Sequence, residues 1–108
     1  MIDPDLEDPE VLKQKLNLDT ARINWSLLAN YQKEGAVIEV MTSLDLVEVA
    51  TEFALDNTEK VKTWLTANLI QMVNDEQASL WLQQNREIWS VVVAPWVLVQ
   101  TDGLPVPE

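Results

Sequence analysis

Apolar positions recur along this chain with two periods, and the switches between them divide it into elements. Val11, Leu12 and Leu16 share one side of a short helix that follows Asp8, with Pro9 in its first turn, where a missing amide is harmless. Asp19 suits the N-cap of a second helix, about 20–33. At 100° per residue its Ile23, Trp25, Leu27, Leu28 and Tyr31 span a broad apolar face, opposite Arg22, Ser26, Asn30 and Lys33. Gly35 closes it in the left-handed conformation. Residues 36–40 read as a strand. Thr42 with Asp45 makes a capping-box pattern, with Met41 and Leu46 placed as a hydrophobic staple. The helix predicted from 43 to about 55 turns Leu46, Val47, Val49, Ala50, Phe53 and Ala54 inward, and Asp45, Glu48, Glu52 and Asp56 outward.

Asp56 or Asn57 caps a further helix to about residue 67, with Val61, Trp64 and Leu65 inward and Asn68 in the left-handed position after it. Residues 69–73 form a short strand. Asn74 with Gln77 starts a helix carrying Ala78, Trp81 and Leu82 at helical spacing and ending at Asn85. The valine- and tryptophan-rich stretch 88–100 is strand. Pro95 within it cannot donate to a ladder, so it marks an edge, a bulge or a break between two short strands. The reading is a compact single α+β domain over 11–100, in the order helix, strand, helix, helix, strand, helix, strand, with a small, mostly antiparallel sheet. A disordered acidic arm at 1–10 and a flexible tail at 101–108 flank it.

Charge and composition narrow the function. The chain has 108 residues, one domain's length, and 47% of them are hydrophobic, too many for a disordered chain. The net charge is −11, and much of it sits in Asp3, Asp5, Glu7, Asp8 and Glu10, so the remainder is only mildly acidic. No basic stripe exists for nucleic acid. The sequence holds no cysteine and no histidine, which removes disulfides, thiolate chemistry, and the commonest general base and metal ligand. The N-terminal residues lack the basic and apolar regions of a signal peptide. The longest apolar run, 91–99, is half a membrane span and is broken by Pro95. A cytoplasmic protein without membrane contact is expected.

Few constellations could carry chemistry. The four carboxylates Asp45, Glu48, Glu52 and Asp56 could hold a hard cation, but a helix-borne metal site calls for histidine partners, and a solvated acidic face is the better explanation. Ser26, Ser43, Ser79 and Ser90 lack both a glycine-flanked elbow and a base. Two glycines, Gly35 and Gly103, cannot build a phosphate-cradling loop. The expectation is a protein that is not an enzyme and needs no cofactor. Trp25, Trp64 and Trp81 read as core. Trp89 and Trp96 are seven residues apart and face opposite ways on an unbroken strand, leaving one as an interface anchor. Asn24 falls inside an apolar arc, either as a buried hydrogen-bonded amide or as a polar site residue.

Several stretches resemble a bacterial family, the domain of unknown function numbered 2288: ARINWSLLANYQKEGAVIEV, LDLVEVATEFALDN, VKTWL, NDEQASLWL and WSVVVAPWVLVQ. The resemblance implies a compact prokaryotic domain with no assigned activity and no catalytic residues. The element order is also similar to that of winged-helix proteins, with Val49, Ala50, Phe53 and Leu55 in the first helix of the motif and Val61, Trp64 and Leu65 in the second. Ala54 stands where that motif often has glycine. On that reading Lys60 and Lys62 would face DNA, yet Glu59 and Asp56 cancel them, and affinity for phosphates needs net positive charge.

The leading expectation is a non-catalytic protein-interaction or assembly module of a bacterial cytoplasmic protein. It would meet a protein partner, or itself as a homodimer, through Trp89, Val91, Val93, Pro95 and Trp96 on a strand edge at 88–100. The alternatives are a winged-helix-type regulator with weak nucleic-acid contact through Lys60 and Lys62, and small-ligand or cation binding around Asn24 or the acidic helix face.

Overall fold

Asp8 accepts a hydrogen bond from the Glu10 amide and so caps α1 (Pro9–Asp19), the first element of the computed structural model, which describes residues 8–101. Pro9 occupies the first turn, where it fits. The helix runs to Asp19, so Asp19 ends this helix and does not begin the next. Because α1 starts at Pro9, the ordered domain reaches two residues further towards the N-terminus than its expected start at 11. The rest of the acidic arm, 1–7, and most of the tail, 102–108, lie outside the described residues.

The segment 20–33 departs most from the sequence pattern. In place of one helix over 20–33, the chain forms β1 (Ala21–Asn24), a 3-10 turn (Trp25–Leu28) and a short α2 (Ala29–Lys33). The cause is tertiary: β1 pairs antiparallel with a strand more than 60 residues later, placing Ile23 opposite Ile88 and Arg22 opposite Trp89. The ladder pairs one side of the β1 backbone with β4, and this tertiary pairing overrides local periodicity. Gly35 then takes a φ of 70°, a left-handed value that glycine adopts without strain.

The remaining helices are α3 (Leu46–Ala54), α4 (Thr58–Thr66) and α5 (Asp75–Gln83), and the remaining strands are β2 (Val37–Val40), β3 (Ile70–Met72), β4 (Glu87–Val93) and β5 (Trp96–Gln100). Helix α3 starts three residues later than the capping-box pattern suggests. Asp45 is its own N-cap, its carboxylate accepting from the amides of Val47 at 2.9 Å and Glu48 at 3.2 Å. Asn57 and Asn74 cap α4 and α5 in the same way, and Asn68 and Asn85 end those helices with positive φ.

The five strands form one mixed sheet in the order β1-β4-β5-β2-β3. The β2–β5 pair is parallel and the others are antiparallel. Pro95, after a cis peptide bond, sits in the turn of the β4–β5 hairpin, so it is the break between two strands. That hairpin fills the centre of the sheet, and the edges are β1 and β3. The stretch 88–100 is therefore not an edge strand, because both of its strands have two neighbours, although β1 covers β4 only as far as Ser90.

Alternation along the strands divides the core in two. Ile38, Val40, Val91 and Leu98 face α1 and α3, packing on Leu12, Leu16, Leu46, Val49 and Ala50. Val37, Ile88, Val97 and Val99 face the other way, against Trp25 and Leu28 of the 3-10 turn and Trp81 of α5. Trp25 and Trp81 meet edge to face, with ring centroids 4.9 Å apart, the geometry the ring quadrupole favours. The pair α3–α4 and the hairpin stand in winged-helix order, but their sheet has five strands and helices on both faces. Among the described residues no helix is long and apolar enough to cross a membrane.

Candidate functional site

Helix α4 is the least anchored of the longer helices. None of its nine residues is buried, although Val61 and Trp64 rest against the core. Leu65, expected inward, is 46% exposed. Amphipathic spacing gives the direction of a helix face, but how deeply that face is covered depends on the neighbours. Here the neighbours leave a groove on each side of the helix.

The first groove, about 420 Å³, lies between α4 and the hairpin turn. Phe53 of α3, Val61 and Leu65 of α4, and Val93, Ala94, Pro95 and Trp96 of the hairpin make its apolar lining. Asp56, Thr58 and Lys62 are its polar members. The second, about 430 Å³, lies on the opposite flank, between α4 and the start of α3. Leu44, Val49 and Trp64 line it beside Asp45, Glu48, Glu59, Lys60 and Thr63.

The hairpin also decides where the residues expected at an interface go. Trp89 lies opposite Gln100, Val91 opposite Leu98 and Val93 opposite Trp96. Residues 89, 91 and 93 alternate onto one face, so Trp89 and Trp96 share a face at opposite ends of the hairpin. The opposite-faces expectation fails because the chain reverses at Pro95. Val91 is 1% exposed and sealed in the core, so it cannot anchor a partner. Trp89 is partly exposed beside Thr20, Asp45, Leu46 and Gln100. Val93, Pro95 and Trp96 come together with α3 and α4 in the first groove.

The other candidates have structural roles. Asn24 ends β1 and caps the 3-10 turn. Its Oδ1 accepts from the Ser26 amide at 3.0 Å, and its Nδ2 donates to Asn85 Oδ1 at 2.8 Å. Its amide is hydrogen-bonded, but Asn24 is half-buried and not the buried amide expected from the apolar arc. Lys60 lies 3.9 Å from Glu52, and Lys62 reaches the rim of the first groove. The four carboxylates of the acidic face do not converge. Asp45 caps α3, Glu52 accepts from Asn57 Nδ2 at 3.0 Å, and among the described residues no three acidic groups stand close enough to hold a metal ion.

Sequence reasoning missed Glu39. It lies in β2 with its side chain on the same face as Val37, and burial raises its pKa above the usual carboxylate value. A long hydrogen bond from Gln71 and the charge of Arg86 pull the other way without reversing it. A single acid in a valine-rich strand is the only trace it leaves in the sequence.

Comparison with known proteins places the fold. The protein family described as "Protein of unknown function (DUF2288)" matches residues 11–101. The chain is similar to PA1075 from Pseudomonas aeruginosa, whose solution structure was determined by NMR. The two are 38% identical, with a TM-score of 0.76 and 87% of each chain covered. Among curated proteins none matches.

Proposed function

The chain belongs to the DUF2288 family of proteins of unknown function, and we propose that it is a non-catalytic protein-interaction module whose docking surface is the first groove beside α4. The observation that carries this reading is the open apolar channel between Leu65 and the Val93–Pro95–Trp96 turn. Phe53, Val61 and Trp96 pack on the main core from below, so the groove has a rigid floor. Aromatic and branched side chains on such a floor are what partner anchors seek, since burying them excludes water on both sides. The groove is set by a helix pair on one wall and a hairpin turn on the other, so its shape is held without a partner.

No nucleophile–base pair meets in the groove. Lys62, Asp56 and Thr58 are its polar members, and none of them has a histidine or thiol neighbour in this sequence. That composition suits binding better than turnover.

The test places a photoreactive residue at position 62 of the full chain in its native host. One discrete adduct should form, and Leu65→Glu should abolish it while circular dichroism stays native. Leu65 is already 46% exposed, so the charge is tolerated in the free protein. An adduct that survives Leu65→Glu, or no adduct at all, counts against the reading.

A further inference from the structure

Resting on the docking role of α4, we propose that the partner segment is basic, with lysine or arginine side chains entering the second groove. The two grooves share α4 as a common wall. Val61, Lys62 and Leu65 face one of them, while Glu59, Lys60, Thr63 and Trp64 face the other. A segment laid across the helix reaches both.

The second groove differs from the first in its rim. Its apolar lining is Leu44, Val49 and Trp64, and around these stand Asp45, Glu48 and Glu59. The one cation there, Lys60, is drawn towards Glu52 on α3. Asp45 is held by the amides of Val47 and Glu48. Among the described residues neither Glu48 nor Glu59 has an ion-pair partner. The charge left at the rim is negative, and it needs a positive counterpart from outside.

Lysine and arginine suit such a place in both their parts. Their methylene stems lie along apolar surface while the charged head stays at the wet rim beside the carboxylates. Trp64 lines the groove, and an indole ring attracts cations. The net charge of −11 draws a basic segment from a distance and repels an acidic one. An apolar anchor in the first groove and a basic residue in the second together describe a basic amphipathic segment.

Two synthetic helical peptides with the same leucine spacing test this, one with lysine and one with glutamate at every polar position. Each is titrated into the full isotope-labelled chain at low salt and followed by NMR. The lysine peptide should saturably shift the Trp64 indole and the Glu48 and Glu59 amides, and the glutamate peptide should not. Glu48→Gln with Glu59→Gln should weaken lysine-peptide binding about tenfold, the scale of two exposed ion pairs. Equal binding of both peptides overturns the proposal, as does binding undiminished by the double substitution or shifts centred on Asp75 and Glu76 of α5. If Leu65→Glu abolishes binding of both peptides alike, the charge preference falls while the docking groove stands.

Discussion

Trp25→Phe is the sharpest test of the second core layer. Trp25 is 2% exposed, its Nε1 donates to the Ala78 carbonyl of α5 at 3.0 Å, and its ring meets Trp81 edge to face. Phenylalanine keeps an aromatic ring for Trp81, a pairing worth about 0.5–1.5 kcal/mol. It loses the hydrogen bond, about 1 kcal/mol net. The smaller ring leaves a void that removes roughly another 1 kcal/mol in lost burial and cavity terms. The sum is about 2 kcal/mol, against a total stability of order 5–15 kcal/mol for a domain. Urea unfolding followed by circular dichroism should show that loss with an unchanged slope, and the melting temperature should fall by roughly 8–16 °C. Trp89→Phe is the control: Trp89 is 38% exposed, so its loss should stay below about 1 kcal/mol. Equal effects from the two, or a Trp25→Phe loss under about 0.5 kcal/mol given the terms above, would refute this account of the layer.

Two further substitutions probe polar positions. Glu39→Gln should raise the melting temperature at neutral pH, because burial disfavours the ionised carboxylate. With a folded pKa raised above the unfolded value, the penalty is complete above the folded pKa and is relieved as pH falls through it. The gain over the native chain should therefore shrink on acidification through the carboxylate range, and a gain that grows on acidification would contradict the assignment. Asn24→Ala removes both the cap on Ser26 and the bond to Asn85, and should cost about 1–2 kcal/mol in chemical denaturation. A neutral outcome would return Asn24 to the list of free polar site residues.

What the sequence discloses here is local chemistry. Asp8, Asn57 and Asn74 cap helices where their types predict, and Gly35 and Asn68 adopt the left-handed values expected of them. These signals succeed because a cap or a turn is decided within four residues. The segment 20–33 fails for the opposite reason: Ile23, Trp25 and Leu28 sit at helical spacing, yet their fate depends on Ile88 and Arg86, far along the chain. Pro95 was legible as a break, but which side each tryptophan faces required knowing that the break is a hairpin. The groove was half visible. Val93, Pro95 and Trp96 stand out in the apolar run, whereas Phe53, Val61 and Leu65 read as ordinary core, because spacing cannot say that α4 sits proud of its neighbours.

The position of α4 follows from the sheet. Each face of the sheet is already covered: α1 and α3 seal one, and the 3-10 turn with α5 seals the other. Val49 and Ala50 of α3 are fully buried in that layer. Helix α4 contributes Val61 and Trp64 at the margin and must take its remaining apolar surface, Leu65 above all, to the outside. None of the residues of α4 is buried, so those on its outer surface carry no core-packing duty and are constrained by what they meet from solution. The exposed Leu65 on one flank of α4, and on the other Glu59 of α4 and Glu48 of α3, which have no ion-pair partner among the described residues, are the features here that folding does not explain.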